Sequence, residues 1–397
     1  MAFNPDILKW ARLTAGLSLD QAAKELGFLD THKRSAAQRL ASLESGEENP
    51  SRSVLLRMAK AYRRSLLVFY LAEPPRPGDR GEDFRTVPGA PPPQYDPIID
   101  ALIRDIRGRQ SIVRSLMEEI EQPQLDFVGT ATMETAPREL ANRITETFRF
   151  SLDEFRSQAD VATAFNYLRE RVESSGVFVL LLGNLGSHHT NISAETFRGF
   201  AIADPIAPLV VVNDQDAKTA WSFTTLHETV HLFLGTTGIS GGNTDARIER
   251  YCNDVAGEIL LPTSEVKELA HVERLPMDQA IEAVSQFAKV RRISSAMVAY
   301  KVFRSHIIDV GTWRAWDHEI RRKWLAAKAQ QEEFEQSEGG PSYYVIKRHR
   351  LGPALLNLVR HSLGEGAITH TKAAQLLGVR PRNVDPLLHG MPVSGGR

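Results

Sequence analysis

The 397-residue sequence contains one cysteine, Cys252, and no apolar run of the roughly 18 residues that a membrane helix requires. A single cysteine excludes an internal disulfide, and it excludes a structural zinc site made of several cysteines. The first residues also lack the basic-then-apolar order of a secretory signal. We therefore expect a cytoplasmic protein with no membrane partner.

Net charge is also nearly absent, because the formal total is −1, but the charges are unevenly distributed. Residues 1–65 contain 11 Lys/Arg against 7 Asp/Glu, and residues 341–397 contain 8 against 2. These two ends carry +4 and +6, which leaves −11 for the region between them. Basic ends of this kind indicate an anionic partner, with nucleic acid as the leading candidate.

Proline is concentrated in one stretch, since 8 of the 21 prolines lie within residues 74–97. Such a density cannot sustain a helix or a central strand, so it predicts a linker. We divide the chain accordingly into a helical domain (1–72), a proline-rich linker (73–97), a second domain (98–310), a charged helical connector (311–340) and a basic helical C-terminal module (341–397).

Helical periodicity dominates the chain, and three short apolar runs interrupt it. Residues 177–182, 200–203 and 209–212 have the length and apolar composition of buried strands. The pattern predicts a mostly α fold with a small β-sheet, an α+β architecture.

The sequence His227-Glu228-Thr229-Val230-His231 has the form H-E-x-x-H. On a helix, which we predict over residues 217–234, spacing of four residues puts both imidazoles on one face, as a single zinc ion requires. Glu228 lies between them and can take a proton from the attacking water. The alternative is a pair of surface histidines on an amphipathic helix.

A third ligand is expected on the next helix, which the sequence predicts to end before Pro262. Glu249 and Glu258 are nine residues apart, so they lie on opposite faces and only one of them can reach the metal. We favour Glu249, because its face is compact, and Asn253 one turn later can hydrogen-bond a liganding histidine. Two histidines and one glutamate leave a fourth position for water, as in catalytic zinc sites.

These residues resemble the ImmA/IrrE family of zinc metallopeptidases over residues 130–310. The match is H-E-x-x-H followed by Glu249-x-x-Cys252-Asn253-x-Val255-Ala256 and by Leu260-Leu261-Pro262. The resemblance implies Zn²⁺ on His227, His231 and Glu249, and a protein substrate that is often an Xre-type repressor. In related zinc peptidases an edge strand pairs with extended substrate, and Leu209–Asn213 is our candidate, a plain core strand being the alternative.

The N-terminal residues resemble the Xre-type helix-turn-helix domain that many members carry. Helices are predicted over 6–15, 18–27, 36–45 and 53–63, with Ser18 and Gln21 as a capping box. The stretch from Phe28 to about Ser35 is longer than a tight turn. Contacts to duplex DNA are predicted for Lys33, Arg34, Gln38 and Arg39. A solvated basic face, or a protein-binding platform, is the alternative.

Two further features leave their roles open. Cys252 is either an additional, redox-sensitive ligand or a small buried residue. Ala22–Gly27 is echoed by Ala373–Gly378, each with paired alanines before a glycine, as the first helix of a helix-turn-helix needs. The C-terminal module therefore binds DNA, binds a partner, or docks on the peptidase domain.

The sequence as a whole predicts a zinc-dependent endopeptidase that acts in transcriptional, stress or defence regulation by cleaving an Xre-type repressor or antitoxin. The alternative is a DNA-binding regulator whose peptidase-like domain is a sensor or scaffold with little turnover. Because Xre-like domains often dimerise, a homodimer is a further expectation.

Overall fold

The computed structural model describes residues 3–74, 97–186, 190–236, 246–338 and 342–389. The chain divides into two compact units, of which the first comprises Met1–Arg80 with Pro93–Ile106 and the second comprises Gly81–Pro92 with Arg107–Arg397. Most of the predicted proline-rich linker lies outside the described residues. Among the described residues, no helix combines the length and the apolar composition of a membrane span.

The N-terminal unit contains short helices closed by side-chain caps. They are α1 (Pro5–Thr14), α2 (Leu19–Glu25), α3 (Ala36–Glu44), α4 (Arg52–Ala61) and a 3₁₀ helix (Leu66–Tyr70), and α5 (Pro97–Glu119) begins in this unit and ends in the second. Ser18 and Gln21 form the predicted capping box at α2. Arg12 of α1 donates two hydrogen bonds to Glu44 of α3, at 2.8 and 2.9 Å, so a buried ion pair holds α3 in place.

The second unit is also mainly helical. Its helices are α6 (Pro137–Thr147), α7 (Leu152–Ser157), α8 (Val161–Ser174), α9 (Lys218–Leu234), α10 (Ala246–Leu260), α11 (Thr263–Val266), a 3₁₀ helix (Lys267–Arg274), α12 (Met277–Val290), α13 (Ser295–Arg304), α14 (Val310–Glu338), α15 (Tyr343–Leu351), α16 (Pro353–Gly364), α17 (His370–Leu377), a 3₁₀ turn (Pro381–Asn383) and α18 (Val384–His389). The predicted α+β class is confirmed.

Three short strands form one mixed sheet in the second unit. They are β1 (Phe178–Leu181), β2 (Gly199–Ile202) and β3 (Leu209–Val212), in the order β1-β3-β2, with β1 parallel and β2 antiparallel to β3. The prediction of an edge strand at Leu209–Asn213 is wrong, because β3 is the central strand. Its unbroken apolar composition reflects burial on both faces. The outer strand beside α9 is β2.

The C-terminal module docks on the part of the second unit that contains α8 and β1. Arg169 of α8 is buried, and it donates to Glu173 at 2.9 Å and to the carbonyl of His349 at 2.5 Å. Glu173 in turn accepts from the backbone N–H of Ala354 at 3.0 Å. A buried pair of opposite charges requires such complete hydrogen bonding to offset its desolvation. Of the three roles left open for the module, docking is therefore observed.

Candidate metal centre

The helix α9 is buried along most of its length, and it ends where the sequence predicts. Gly235 adopts a left-handed conformation (φ 67°) that closes the helix. A methyl group added to Gly235 would lie 2.9 Å from the Cα of Gly129, so the two glycines allow close approach of two backbones. The N–H groups of Gly129 and Ala131 donate to the carbonyls of Leu232 and Phe233. These contacts fix the helix that carries both histidines.

Three predicted ligands converge at the interface of α9 with α10. The Nε2 atoms of His227 and His231 lie 3.2 Å apart. The two carboxylate oxygens of Glu249 lie 3.4 Å from these Nε2 atoms, one oxygen facing each imidazole. The imidazoles are fully buried, whereas the Glu249 side chain is 21% exposed. Glu249 is therefore the solvent-facing member of the group.

The spacing of these atoms fits one tetrahedral ion. Donors at 2.0–2.2 Å from zinc, separated by tetrahedral angles, are roughly 3.3–3.6 Å apart. The three measured separations of 3.2, 3.4 and 3.4 Å lie close to that interval. Nitrogen and carboxylate oxygen are also the donor atoms that catalytic zinc sites use. The donor set therefore fits a zinc ion.

Each histidine has a second hydrogen bond that orients its ring. His227 Nδ1 lies 3.1 Å from Asn253 Oδ1, and His231 Nδ1 lies 3.1 Å from Thr236 Oγ1. With Nδ1 donating to these oxygens, the Nε2 lone pairs point toward the shared centre. The contact of Asn253 with a histidine is the one the sequence predicts. Thr236 was missed, because it follows the helix-ending glycine in a loop and has no fixed spacing rule.

The Glu228 carboxylate is buried (1% exposed) and lies against the start of β2. A methyl group added to Gly199 would be 2.8 Å from Glu228 Oε1 and 2.9 Å from the carbonyl oxygen of Val211. Gly199 therefore leaves the space that this carboxylate occupies. The sequence contains no signal for this role, because only the fold brings Gly199 to the helix.

The two glutamates of α10 point to different surroundings. Glu258 accepts hydrogen bonds from Lys301 Nζ at 3.0 Å and from the hydroxyl of Thr263 at 2.6 Å. Burial alone would raise the pKa of Glu258, but the bonds from Thr263 and Lys301 outweigh it and hold the pKa below its usual range. The carboxylate is thus a structural partner of α13 and lies apart from Glu249.

Cys252 lies beside the two histidines. Its Sγ atom and one nitrogen of each of His227 and His231 all lie within 4.8 Å of one another, and the three side chains are buried. Both sequence interpretations of Cys252, an additional ligand and a small buried residue, fit this position.

Tyr251 lies on α10, one residue before Cys252. Its hydroxyl donates to the carbonyl of Thr135 at 2.8 Å, and burial raises its pKa to about 12. The phenol is therefore engaged in linking α10 to the segment before α6. Arg247 lies in the first turn of the same helix.

The four residues predicted for DNA contact lie around the start of α3, and three of them make contacts within their domain. Arg34 pairs with Glu48 at 2.5 Å and donates to the hydroxyl of Ser42. The side chain of Gln38 accepts from the Ser35 N–H in a capping box. The Arg39 guanidinium lies 4.7 Å from the centroid of the Phe28 ring.

The long stretch before α3 is folded back on itself. Thr31 and Arg34 form an isolated antiparallel bridge, and Asp30 accepts from the Ala36 N–H at 2.7 Å. Lys33 lies at the exposed tip of this loop. The extra residues therefore separate α2 from α3 with an ordered turn, and Lys33 is its cation most open to solvent.

Two family models match separate parts of the chain. Residues 184–303 match the model described as the IrrE N-terminal-like domain, in peptidase family M78. Residues 8–69 match the model described as helix-turn-helix. The chain therefore joins an Xre-type helix-turn-helix domain to an IrrE/ImmA-like domain of metallopeptidase type, and the predicted fusion is confirmed. No curated protein and no solved structure shows significant similarity to the chain.

Proposed function

We propose that this chain is a zinc-dependent endopeptidase that regulates transcription by cleaving an Xre-type repressor or antitoxin. One observation carries the proposal: the Nε2 atoms of His227 and His231 lie 3.2 Å apart, and each lies 3.4 Å from one of the two carboxylate oxygens of Glu249, close to the donor separations of a tetrahedral zinc site. The family match of the surrounding residues to a peptidase domain supports the same chemistry.

The reaction divides into roles for this chain's own side chains. Bound zinc would act as a Lewis acid toward a peptide carbonyl and a water molecule. The Glu228 carboxylate takes the proton of the attacking water and returns it to the nitrogen of the departing amine. Burial of Glu228 beside β2 keeps this carboxylate in one place. Asn253 and Thr236 fix the orientation of the His227 and His231 rings through hydrogen bonds at Nδ1.

The strand β2 is the surface on which we place the substrate. Within the described parts of the chain, β3 is its one neighbour in the sheet, so its other edge has backbone groups for an extended peptide. Gly199 at its start lies against Glu228. A peptide added to this edge would present a backbone carbonyl near the carboxylate that activates water.

The helix-turn-helix domain supplies the link to transcription. Its match covers residues 8–69, and such domains contact DNA or other proteins. The basic ends also favour a second candidate function, a DNA-binding regulator with little peptidase turnover. For such a regulator, duplex affinity falls steeply with salt, whereas loss of the peptidase site leaves regulation unchanged.

Co-expression tests the proposal. The partner is an Xre-type repressor encoded beside this chain, produced with wild type, with Glu228→Gln, or with the exposed control Glu119→Gln. We expect a cleaved partner with wild type and the control, and an intact partner with Glu228→Gln, in mass spectra of the products. Equal cleavage by all three chains would contradict the role of Glu228. Regulation of the partner's promoter that survives Glu228→Gln, without cleavage, would favour the second function.

A further inference from the structure

The C-terminal module repeats the local structure of the N-terminal helix α2 at a constant offset of 351 residues. Thr369 caps α17 as Ser18 caps α2, each side chain accepting from the backbone N–H three residues later. Both helices then end at a left-handed glycine, Gly378 (φ 59°) and Gly27 (φ 67°).

The turn that follows each of these glycines is closed in the same way. The N–H of Val379 donates to the carbonyl of Ala374 at 3.0 Å, and the N–H of Phe28 donates to that of Ala23 at 2.9 Å. Since residues 8–69 match a helix-turn-helix model, the repeat gives α17 the local structure of the first helix of such a motif.

The connection after α17 has the length that this motif requires. Two residues, Val379 and Arg380, separate Gly378 from the helical segment that starts at Pro381. The N-terminal domain has eight residues, 28–35, between Gly27 and α3. A helix-turn-helix joins its two helices by a tight turn of three or four residues. The C-terminal copy therefore keeps the tight turn that the N-terminal domain has extended.

The two helices pack through small and apolar side chains. Ala373 and Ala374 of α17 are buried, and their small size lets the next helix approach closely. The following segment buries Val384, Leu387 and Leu388. Its opposite face is exposed, and its members recur at helical spacing: Arg382, Asp385, Pro386 and His389. A helix with this division presents one face to its own domain and one to a partner.

The charge of the module favours an anionic partner. Residues 342–389 contain seven Lys/Arg and two Asp/Glu. Both carboxylates lie beside histidines: an oxygen of Glu365 is 3.1 Å from His361 Nε2, and an oxygen of Asp385 is 3.1 Å from His370 Nε2. Lys372, Arg380 and Arg382 form no ion pair with any part of the chain that the structure describes. Their charge remains available to phosphate groups.

We propose that the C-terminal module is a second helix-turn-helix that binds duplex DNA. The segment Pro381–His389 enters the major groove, with Arg382 and Asn383 at its N-terminal end facing base edges. Lys372 and Arg380 contact the phosphate backbone on either side. The module docks on the rest of the second unit through α15, the start of α16 and the Arg109 side chain of α5, which lies against Gly378. Arg382, Asp385 and His389 remain exposed for the duplex.

Salt-dependent binding of the full chain tests this site. The probe is a fluorescein-labelled duplex of 30 base pairs with mixed sequence, and its anisotropy gives Kd at several NaCl concentrations. The double variant Arg380→Ala/Arg382→Ala is compared with wild type and with Lys267→Ala/Arg274→Ala, which removes two exposed charges elsewhere. We expect about a tenfold weaker Kd for the first variant. The slope of log K against log salt should be smaller by about 0.9, because Arg380 contacts phosphate whereas Arg382 contacts base edges.

A photo-crosslinker at the same position separates this site from the N-terminal domain. Arg382→benzoylphenylalanine should crosslink to the duplex, and Lys267→benzoylphenylalanine should not. Unchanged Kd and slope in Arg380→Ala/Arg382→Ala would overturn the proposal, since exposed side chains can be removed without unfolding. Absence of a DNA crosslink from position 382, including the case in which a protein is crosslinked instead, would overturn it as well.

Discussion

The candidate metal centre and the residues around helix α3 use polar side chains in opposite settings. In the metal centre, His227, His231 and Glu228 are nearly or fully buried, and their partners lie on neighbouring elements. Around α3, the cationic side chains lie at the surface, and Arg34 is already paired with Glu48. Burying a polar group costs free energy unless fixed partners form hydrogen bonds with it. A surface cation is solvated by water, so it depends little on any one partner.

This difference determines what each set can do. The donors of the metal centre are held at ion-binding distances by the packing of α9 against α10, so the site is arranged in advance. The side chains around α3 must exchange contacts within their domain for contacts with a ligand. Arg34 and Gln38 also stabilise the loop and the helix that carry them. Substitutions in the metal centre and around α3 should therefore change different properties of the protein, and by different amounts.

The largest effect is expected from Gly199→Ala. The added methyl would lie 2.8 Å from Glu228 Oε1 and 2.9 Å from a backbone oxygen that cannot move aside. Displacing the carboxylate should lower kcat/KM for partner cleavage about 100-fold or more, since a positioned base contributes roughly 10²–10⁴-fold. Zinc content, measured by mass spectrometry, should stay near one ion per chain.

Gly108→Ala is the matched control for that substitution. Gly108 is a helical residue whose added methyl would meet nothing within 4 Å. We expect full cleavage activity and a slightly raised melting temperature, because alanine stabilises a helix over glycine by roughly 1 kcal/mol. Full activity of Gly199→Ala would show that Glu228 does not need its place beside β2.

A smaller effect is expected from the residues that orient the histidines. Asn253→Ala should weaken zinc affinity about 10–100-fold, because the His227 ring loses its hydrogen bond. Thr236→Val tests the equivalent bond of His231. Competition with a chromophoric chelator measures both, with the exposed Asn142→Ala as control. Wild-type affinity in Asn253→Ala would remove this residue from the site.

The smallest effects are expected from alanine substitutions of Lys33 and Arg34, which should differ in their effect on stability. Lys33→Ala should weaken binding of a mixed-sequence duplex a few-fold and leave the free energy of unfolding unchanged, because the side chain is exposed. Arg34→Ala should weaken duplex binding. It should also lower the free energy of unfolding by up to about 1 kcal/mol, because the ion pair with Glu48 and the hydrogen bond to Ser42 are lost. Urea denaturation measures the second quantity. Equal stability of the two variants would show that the Arg34 contacts contribute nothing to folding.

Sequence patterns predicted the individual helices and strands of this protein better than they predicted which of these elements contact one another. The placement of the two histidines depends on helical spacing, and the strand at 209–212 depends on a continuous apolar run. A sequence displays both directly. The order of the strands in the sheet cannot be read from local sequence. The central position of β3 results from its pairing with β1 on one side and β2 on the other. Gly199 and Thr236 were likewise invisible, since their roles arise from contacts between segments with no shared spacing.

The same limit applied to the C-terminal module. Paired alanines before a glycine hinted at a helix-turn-helix, but the hydrogen bonds that repeat α2 in α17 became visible only in the fold. The docking through Arg169 and Glu173 depends on side chains about 180 residues away in sequence from their partners.

Zinc stoichiometry of the intact chain tests the central claim most directly. Native mass spectrometry of zinc-loaded wild type, Glu228→Gln and His231→Ala distinguishes holding the metal from using it. We expect one ion in wild type and in Glu228→Gln, and none retained in His231→Ala after the same dialysis. One ion in all three chains, or none in folded wild type, would contradict a zinc centre at His227, His231 and Glu249.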